Sequence, residues 1–342
     1  MGGGALRLLG LAGVLALAPG CARDCRDFAL TGPREVTCRV PGWTDRDVRV
    51  RAPAGWDGTT ALPLVVARHG HSGTGAGFNG TTCPGGDTSS EACLDQVADA
   101  EGFAVAYPDG TGGSLGLGRS WNAGGGEEGF RCTGDPACAD GVDDLAYDDD
   151  LHELLAGLLP LDADRLYATG MSNGAAMSHR LACERPGRYA AIVAVGGANQ
   201  ALGHPGCNPT QATPVLQIHG TEDPCWTWEG EVGEVCTGEG EGVFVGVEAS
   251  MAAWETLNGC SGSRSEAELP DSADDGTRTM RVTSTGCRAA TELLRVEGGG
   301  HTWPGGRQYL PVSSIGPVAE DFSASVEMWT FMAAHPAGTP AD

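Results

Sequence analysis

The sequence predicts an α/β fold: a mostly parallel sheet covered by helices on both faces, with its loops stapled by disulfides. Three observations carry that expectation. Short, near-continuous apolar runs such as Leu62–Ala67, Phe103–Tyr107 and Val215-Leu216-Gln217-Ile218 recur along the chain, as strands buried on both faces require. Segments with helical periodicity separate them, which supplies the crossovers that parallel strands need. Thirteen cysteines, most of them closely spaced, favour an oxidising compartment. A chain of 342 residues can hold one such domain, and no repeat or interdomain linker divides it.

The first twenty residues read as an export signal, residues 1–20, in which Arg7 is the only charged side chain and Leu8–Leu17 is an apolar core. That core is too short to span a membrane permanently. Ala18-Pro19-Gly20 before Cys21 resembles a bacterial lipoprotein signal, which makes Cys21 the expected lipid anchor. Ordinary cleavage is the alternative, since Ala18 stands where such signals carry leucine. The expected location is extracellular, or the periplasm or outer surface as a lipoprotein. Setting Cys21 aside leaves 13 − 1 = 12 cysteines, an even set. Neighbours pair as Cys25 with Cys38, Cys83 with Cys93, Cys132 with Cys138, Cys183 with Cys207, Cys225 with Cys236 and Cys260 with Cys287.

Residues 21–45 read as a cysteine-containing lead-in, 46–336 as the catalytic domain and 337–342 as a tail. Val48 and Val50 suggest a first strand, Leu62–Ala67 a second, Asp95–Ala100 a helix and Phe103–Tyr107 another buried strand. Asp143–Leu159 reads as a helix with an acidic first turn that suits the helix dipole. Its Asp148-Asp149-Asp150 run is expected to be a solvated face, because no second oxygen-rich segment stands at metal-ligand spacing. Tyr189–Val195 and Ala212–Ile218 follow as strands, Val247–Leu257 as a helix stopped by Asn258-Gly259, then strands Thr279–Thr283 and Glu292–Val296 and a last helix Asp321–Ala334. The formal charge of −24, from 45 acidic and 21 basic residues, makes nucleic acid and anionic membrane surfaces poor partners, and no nucleic acid is expected. A monomer is expected.

Gly170-Met171-Ser172-Asn173-Gly174 ends an apolar run and opens a helix-like segment, Ala175–Ala182. A strand, a tight turn and a helix in that order lift a serine hydroxyl above the sheet end. Gly112-Gly113-Ser114-Leu115-Gly116 matches the same pattern but lies in a glycine-rich loop with no helix to follow, so Ser172 is the candidate nucleophile. A serine needs a base. Of eight histidines, His301 is the candidate, in the loop Gly298-Gly299-Gly300-His301 after a late strand. His179 and His219 read as structural, and His152, His204 and His335 have no comparable setting. Asp223, in the turn after Val215–Ile218, is the candidate orienter of the base, with Glu222 as the alternative. The order Ser172, Asp223, His301 is that of α/β-hydrolase triads. Backbone amides of Asn173 and of His71, in the loop after Leu62–Ala67, are the candidate oxyanion hole.

With these residues in view, the chain resembles the polyhydroxybutyrate depolymerase and feruloyl esterase-like group of secreted α/β-hydrolases. The carrying segments are Leu64–Gly70, Tyr107–Gly110, Ser120-Trp121-Asn122, Gly170–Gly174, Ile218–Asp223, Trp254 with Asn258–Cys260, and Gly300–Gly305, so the likeness runs from about Val48 to Pro336. It implies an α/β-hydrolase fold and a serine esterase with Ser172, Asp223 and His301 as its triad. His71 stands where relatives often carry a smaller residue. Trp226 and Trp228 just past Asp223, Trp303 just past His301, and Trp121 are the expected substrate contacts. The substrate is expected to be a carboxylic ester, feruloyl or acetyl on a cell-wall glycan or a hydroxyalkanoate polyester, cleaved with neither metal nor organic cofactor. A peptidase of the same fold and a non-catalytic carbohydrate-binding protein are the alternatives.

Overall fold

The computed structural model describes residues 35–112, 118–126, 131–132, 136–202, 207, 209–231 and 243–338. The expected signal, Cys21, Cys25, Ser114, His204 and Cys236 lie outside the described residues. Seventeen elements follow in chain order: β1 (Glu35–Arg39), β2 (Asp47–Arg51), β3 (Leu62–Arg68), α1 (Gly75–Thr81), α2 (Leu94–Glu101), β4 (Ala104–Pro108), α3 (Asp144–Leu158), β5 (Leu161–Met171), α4 (Asn173–Glu184), β6 (Ala191–Val195), β7 (Val215–Gly220), α5 (Val247–Leu257), β8 (Arg264–Glu268), β9 (Arg278–Ser284), β10 (Thr291–Glu297), α6 (Val312–Ile315) and α7 (Ala324–Ala334). The strands form one sheet in the order β1-β2-β4-β3-β5-β6-β7-β10-β9-β8. Its centre, from β4 to β10, is parallel, and antiparallel strands flank it on both sides.

The period of two along each central strand explains the two-sided core. Leu64 and Val66 of β3 pack with Leu151 and Leu155 of α3 and with Leu181 of α4 on one face. Val65 and Ala67 pack with Phe78 of α1, Leu94 of α2 and Met328 of α7 on the other. The fold is therefore the α/β-hydrolase type the sequence predicts. Four expected disulfides are formed, Cys83–Cys93, Cys132–Cys138, Cys183–Cys207 and Cys260–Cys287. Cys38 and Cys225 are also disulfide-bonded.

Two strands, β1 and β8, and two short helices, α1 and α6, escape the sequence reading. β1 lies inside the stretch read as a lead-in and pairs antiparallel with β2. β8 is exposed along its whole length and charged, as an edge strand that resists further pairing should be. α1 carries four of its seven residues as glycine or alanine beside Phe78, and it forms because the Thr74 side chain caps it through Gly77 N.

The acidic run in α3 needs correction. Asp148 is not solvated: it is 1% exposed and bonds Arg68 and the Tyr189 hydroxyl, with His152 bonded to that hydroxyl at 2.9 Å. Helical spacing turns Asp148 inward beneath the end of β3, whereas Asp149 meets Arg185 and Arg188 at the surface. Breaking a buried ion pair leaves an uncompensated charge, whereas removing both partners does not. Arg68→Met and Asp148→Leu are each expected to cost about 3–5 kcal/mol of unfolding free energy. The double variant should cost clearly less than the sum, measured by urea titration; simple additivity would contradict the pairing.

Burial also fixes histidines as neutral rings. Burial pushes His69 and His179 down from the ordinary 6.5 to about 4, although a hydrogen bond at each ring acts in the opposite direction. The folded state therefore binds fewer protons than the unfolded chain between those limits. Stability from these rings is complete above about pH 6.5 and drains away as pH falls toward about 4, by an amount on the order of 3 kcal/mol per ring. Urea midpoints measured across that window should fall steadily, and a flat profile would contradict the assignment.

Candidate active site

Ser172 sits between β5 and α4 with φ 56° and ψ −122°, a conformation L-residues rarely adopt. Such strain costs about 1–3 kcal/mol and persists only where the surroundings over-determine it. Two close approaches do so. A Cβ on Gly174 would stand 2.3 Å from the Arg68 carbonyl oxygen, and one on Gly170 would stand 2.5 Å from the Gly174 carbonyl carbon. The Ser172 carbonyl then accepts Ala176 N at 3.0 Å, starting the helix directly after the turn.

Ser172 and His301 line one cavity of about 440 Å³, together with Gly70, His71, Phe78, Met171, Tyr309 and Leu310. Among the described residues Ser72 is the other non-glycine with positive φ, and it lines the same cavity. His301 follows β10 and is held on the backbone by two contacts: its amide donates to Ile315 O at 2.6 Å, and the Tyr309 hydroxyl donates to its carbonyl at 2.9 Å. Its Nδ1 lies 2.7 Å from Asp223 Oδ2. A carboxylate only accepts, so Nδ1 carries the proton and the neutral ring keeps its lone pair on Nε2. Asp223 is 3% exposed, and its Oδ1 accepts the amides of Cys225 and Trp226, each at 2.8 Å. Glu222 is exposed and only its backbone amide faces this region, donating to Gly299 O. The geometry thus joins Asp223, not Glu222, to His301.

The loop after β3 is anchored from within. The buried His69 ring bonds Gly70 O through Nδ1 at 2.7 Å and accepts Gly110 N on Nε2 at 2.9 Å. His71 is exposed at the cavity mouth. The Asn173 side chain clamps Trp121 from both sides, accepting its amide at 2.7 Å and donating to its carbonyl at 2.9 Å. Trp121 in turn donates its indole N–H to His69 O at 2.9 Å. The Ser172 turn, the His71 loop and the Trp121 loop are therefore one hydrogen-bonded unit.

The expected tryptophan contacts are corrected. Trp121, Trp226 and Trp303 are at most 3% exposed, and none of the four tryptophans lines the cavity. Trp226 stacks on Phe244 and donates to Val245 O, while Trp303 donates to Ser325 Oγ and meets Phe78 edge-on. Trp228 packs beside His219 and the Val247, Met251, Val282 and Leu293 cluster. Each indole N–H that is bonded inside the protein is unavailable to a ligand. The cavity walls come instead from Phe78, Tyr309 and Leu310, which the sequence reading missed because α1 is glycine-rich and Tyr309 carries no local motif.

The remaining histidines among the described residues have structural partners: His152 bonds Tyr189, His335 bonds Phe331 O, His179 bonds Gln217 and Trp254, and His219 bonds Trp226 O. Asp223, Cys225 and His301 bring three potential ligand atoms within 4.8 Å of one another. Cys225 is committed to a disulfide and Asp223 to two amides and His301, so these donors are already in use.

Comparison with known proteins adds a lineage to this geometry. Residues 148–229 match the model of the phospholipase/carboxylesterase family. The chain is 30% identical over 293 residues to "Putative esterase NocK" of Nocardia uniformis subsp. tsuyamanensis, covering 81% of this chain and 75% of that one. It is 26% identical over 258 residues to feruloyl esterase B of Piromyces equi, covering 75% of this chain but only 42% of that protein. The crystal structure of native pOPH superimposes with a TM-score of 0.50 at 14% identity, over 86% of this chain and 85% of that one, a likeness of fold. The chain belongs to the polyhydroxybutyrate depolymerase and feruloyl esterase-like family of α/β-hydrolases, a family of carboxylic ester hydrolases.

Proposed function

We propose that this protein is an exported serine esterase that works through an acyl-enzyme. The observation that carries the reading is the strained Ser172, opening into the same cavity as a histidine whose other nitrogen is bonded to a buried aspartate. In this mechanism Ser172 Oγ bonds the ester carbonyl carbon as His301 Nε2 takes its proton. Asp223 holds the ring tautomer and stabilises the imidazolium. The backbone amides of His71 and Asn173 stabilise the oxyanion, the alcohol leaves with the proton from His301, and water repeats the cycle to release the acid.

A cavity of about 440 Å³ walled by Phe78, Met171, Tyr309 and Leu310 suits a hydroxycinnamoyl or hydroxyalkanoyl group better than a charged one. The names of the relatives point the same way, since one is a feruloyl esterase. Disulfides and the apolar stretch before Cys21 support export, with Cys21 as the lipid anchor and a catalytic domain that takes in β1 as well as residues 46–336. The buried tryptophans remove the feature that favoured a carbohydrate-binding role.

Turnover of a p-nitrophenyl ester and of methyl ferulate tests this directly. Ser172→Ala and Asp223→Asn should each lose about a thousandfold or more in kcat/KM. Glu222→Gln should stay within about twofold of wild type, because the exposed Glu222 side chain makes no triad contact. Retained activity in Ser172→Ala would exclude the mechanism.

A further inference from the structure

A run of buried hydrogen bonds leads from α5 to Asp223, and its proton positions are fixed from both ends. Trp254 Nε1 donates to His179 Nδ1 at 3.0 Å. An indole N–H cannot accept, so His179 carries its proton on Nε2, which faces Gln217 Oε1 at 2.8 Å. The amide orientation is set independently, because Gln217 Nε2 lies 2.9 Å from the Gly197 carbonyl, an acceptor only. The same amide nitrogen reaches His219 Nδ1 at 3.2 Å. That nitrogen must therefore accept, and the neutral His219 ring holds its proton on Nε2. Burial pushes the His219 pKa down, as it does for His179, in keeping with a neutral ring.

His219 Nε2 stands 2.8 Å from the Trp226 carbonyl and 3.4 Å from Asp223 Oδ2. The turn from Asp223 to Trp226 is thus gripped twice, by Asp223 Oδ1 on the Cys225 and Trp226 amides and by His219 on the Trp226 carbonyl. We propose that His219 is a positioning residue for the catalytic aspartate: its Nε2 proton, locked in place by Gln217, holds the Asp223 turn and faces Oδ2, so that this oxygen stays on His301. With the other tautomer, a nitrogen lone pair would face two oxygens and push the turn away. The inference rests on the reading of Asp223 and His301 as partners of Ser172.

Two measurements on the intact protein test it. Histidine ¹⁵N spectra should show His219, assigned by its loss in His219→Gln, as the neutral Nε2–H tautomer across roughly pH 6 to 8, the range in which an unperturbed ring would titrate. In ester turnover His219→Phe should lose about tenfold in kcat with KM unchanged, the scale of one hydrogen bond serving a charged group. His219→Gln, which keeps an N–H near the Nε2 position, should recover most of it. An Nδ1–H tautomer, an imidazolium, a wild-type kcat in His219→Phe, or a Gln variant as impaired as the Phe variant would overturn the proposal. The tautomer is read without turnover, so an inactive wild type refutes the esterase reading while leaving the lock itself separately tested.

Discussion

The turn between β5 and α4 packs backbone against backbone on the end of β3. A side chain at Gly174 would meet the carbonyl oxygens of Arg68 and His69 at 2.3 and 2.5 Å, so the approach exists only because glycine stands there. Its consequences spread outward. Ser172 is forced to positive φ, α4 begins at once, and the first residue of that helix, Asn173, comes close enough to clamp the Trp121 backbone. Trp121 then holds the His69 carbonyl, the same group that crowds Gly174. The contact thus closes on itself, which is how a strained residue is kept in place without relaxing.

Beneath this turn lie two buried polar clusters whose members hold one another in place. Arg68 and Asp148 neutralise each other under the end of β3, with Tyr189 and His152 completing the cluster. On the other side, His179, Gln217 and His219 line up below Asp223. Such networks stabilise little in net terms when complete and are costly when broken. Their contribution is to specify geometry at the sheet end, where a small displacement of an acid or base matters most.

The parallel core was legible because β3, β4, β6 and β7 are buried on both faces and read as near-continuous apolar runs. The Ser172 turn was legible because steric need writes glycine at fixed offsets, and the joining of Asp223 to His301 followed from each ending a strand at the same edge of the sheet. What hid was whatever depends on long-range packing. Asp148 looked like surface because nothing local announces Arg68, which lies 80 residues away. The tryptophans looked like ligand contacts because proximity in sequence to Asp223 and His301 says nothing about which way an indole points. Phe78 and Tyr309 reach the cavity only through the fold.

The central claim is that strain and access at the Ser172 turn make that one hydroxyl the nucleophile. Ser72 is the natural internal control, since it also has positive φ and lines the same cavity but lies within the loop between β3 and α1 and not at a turn where a helix starts at the next residue. Mass-spectrometric mapping of the protein after reaction with a fluorophosphonate tests the claim most directly. The account predicts a single adduct on Ser172 that is absent in His301→Ala; an adduct on Ser72, or labelling that survives the loss of His301, would contradict it.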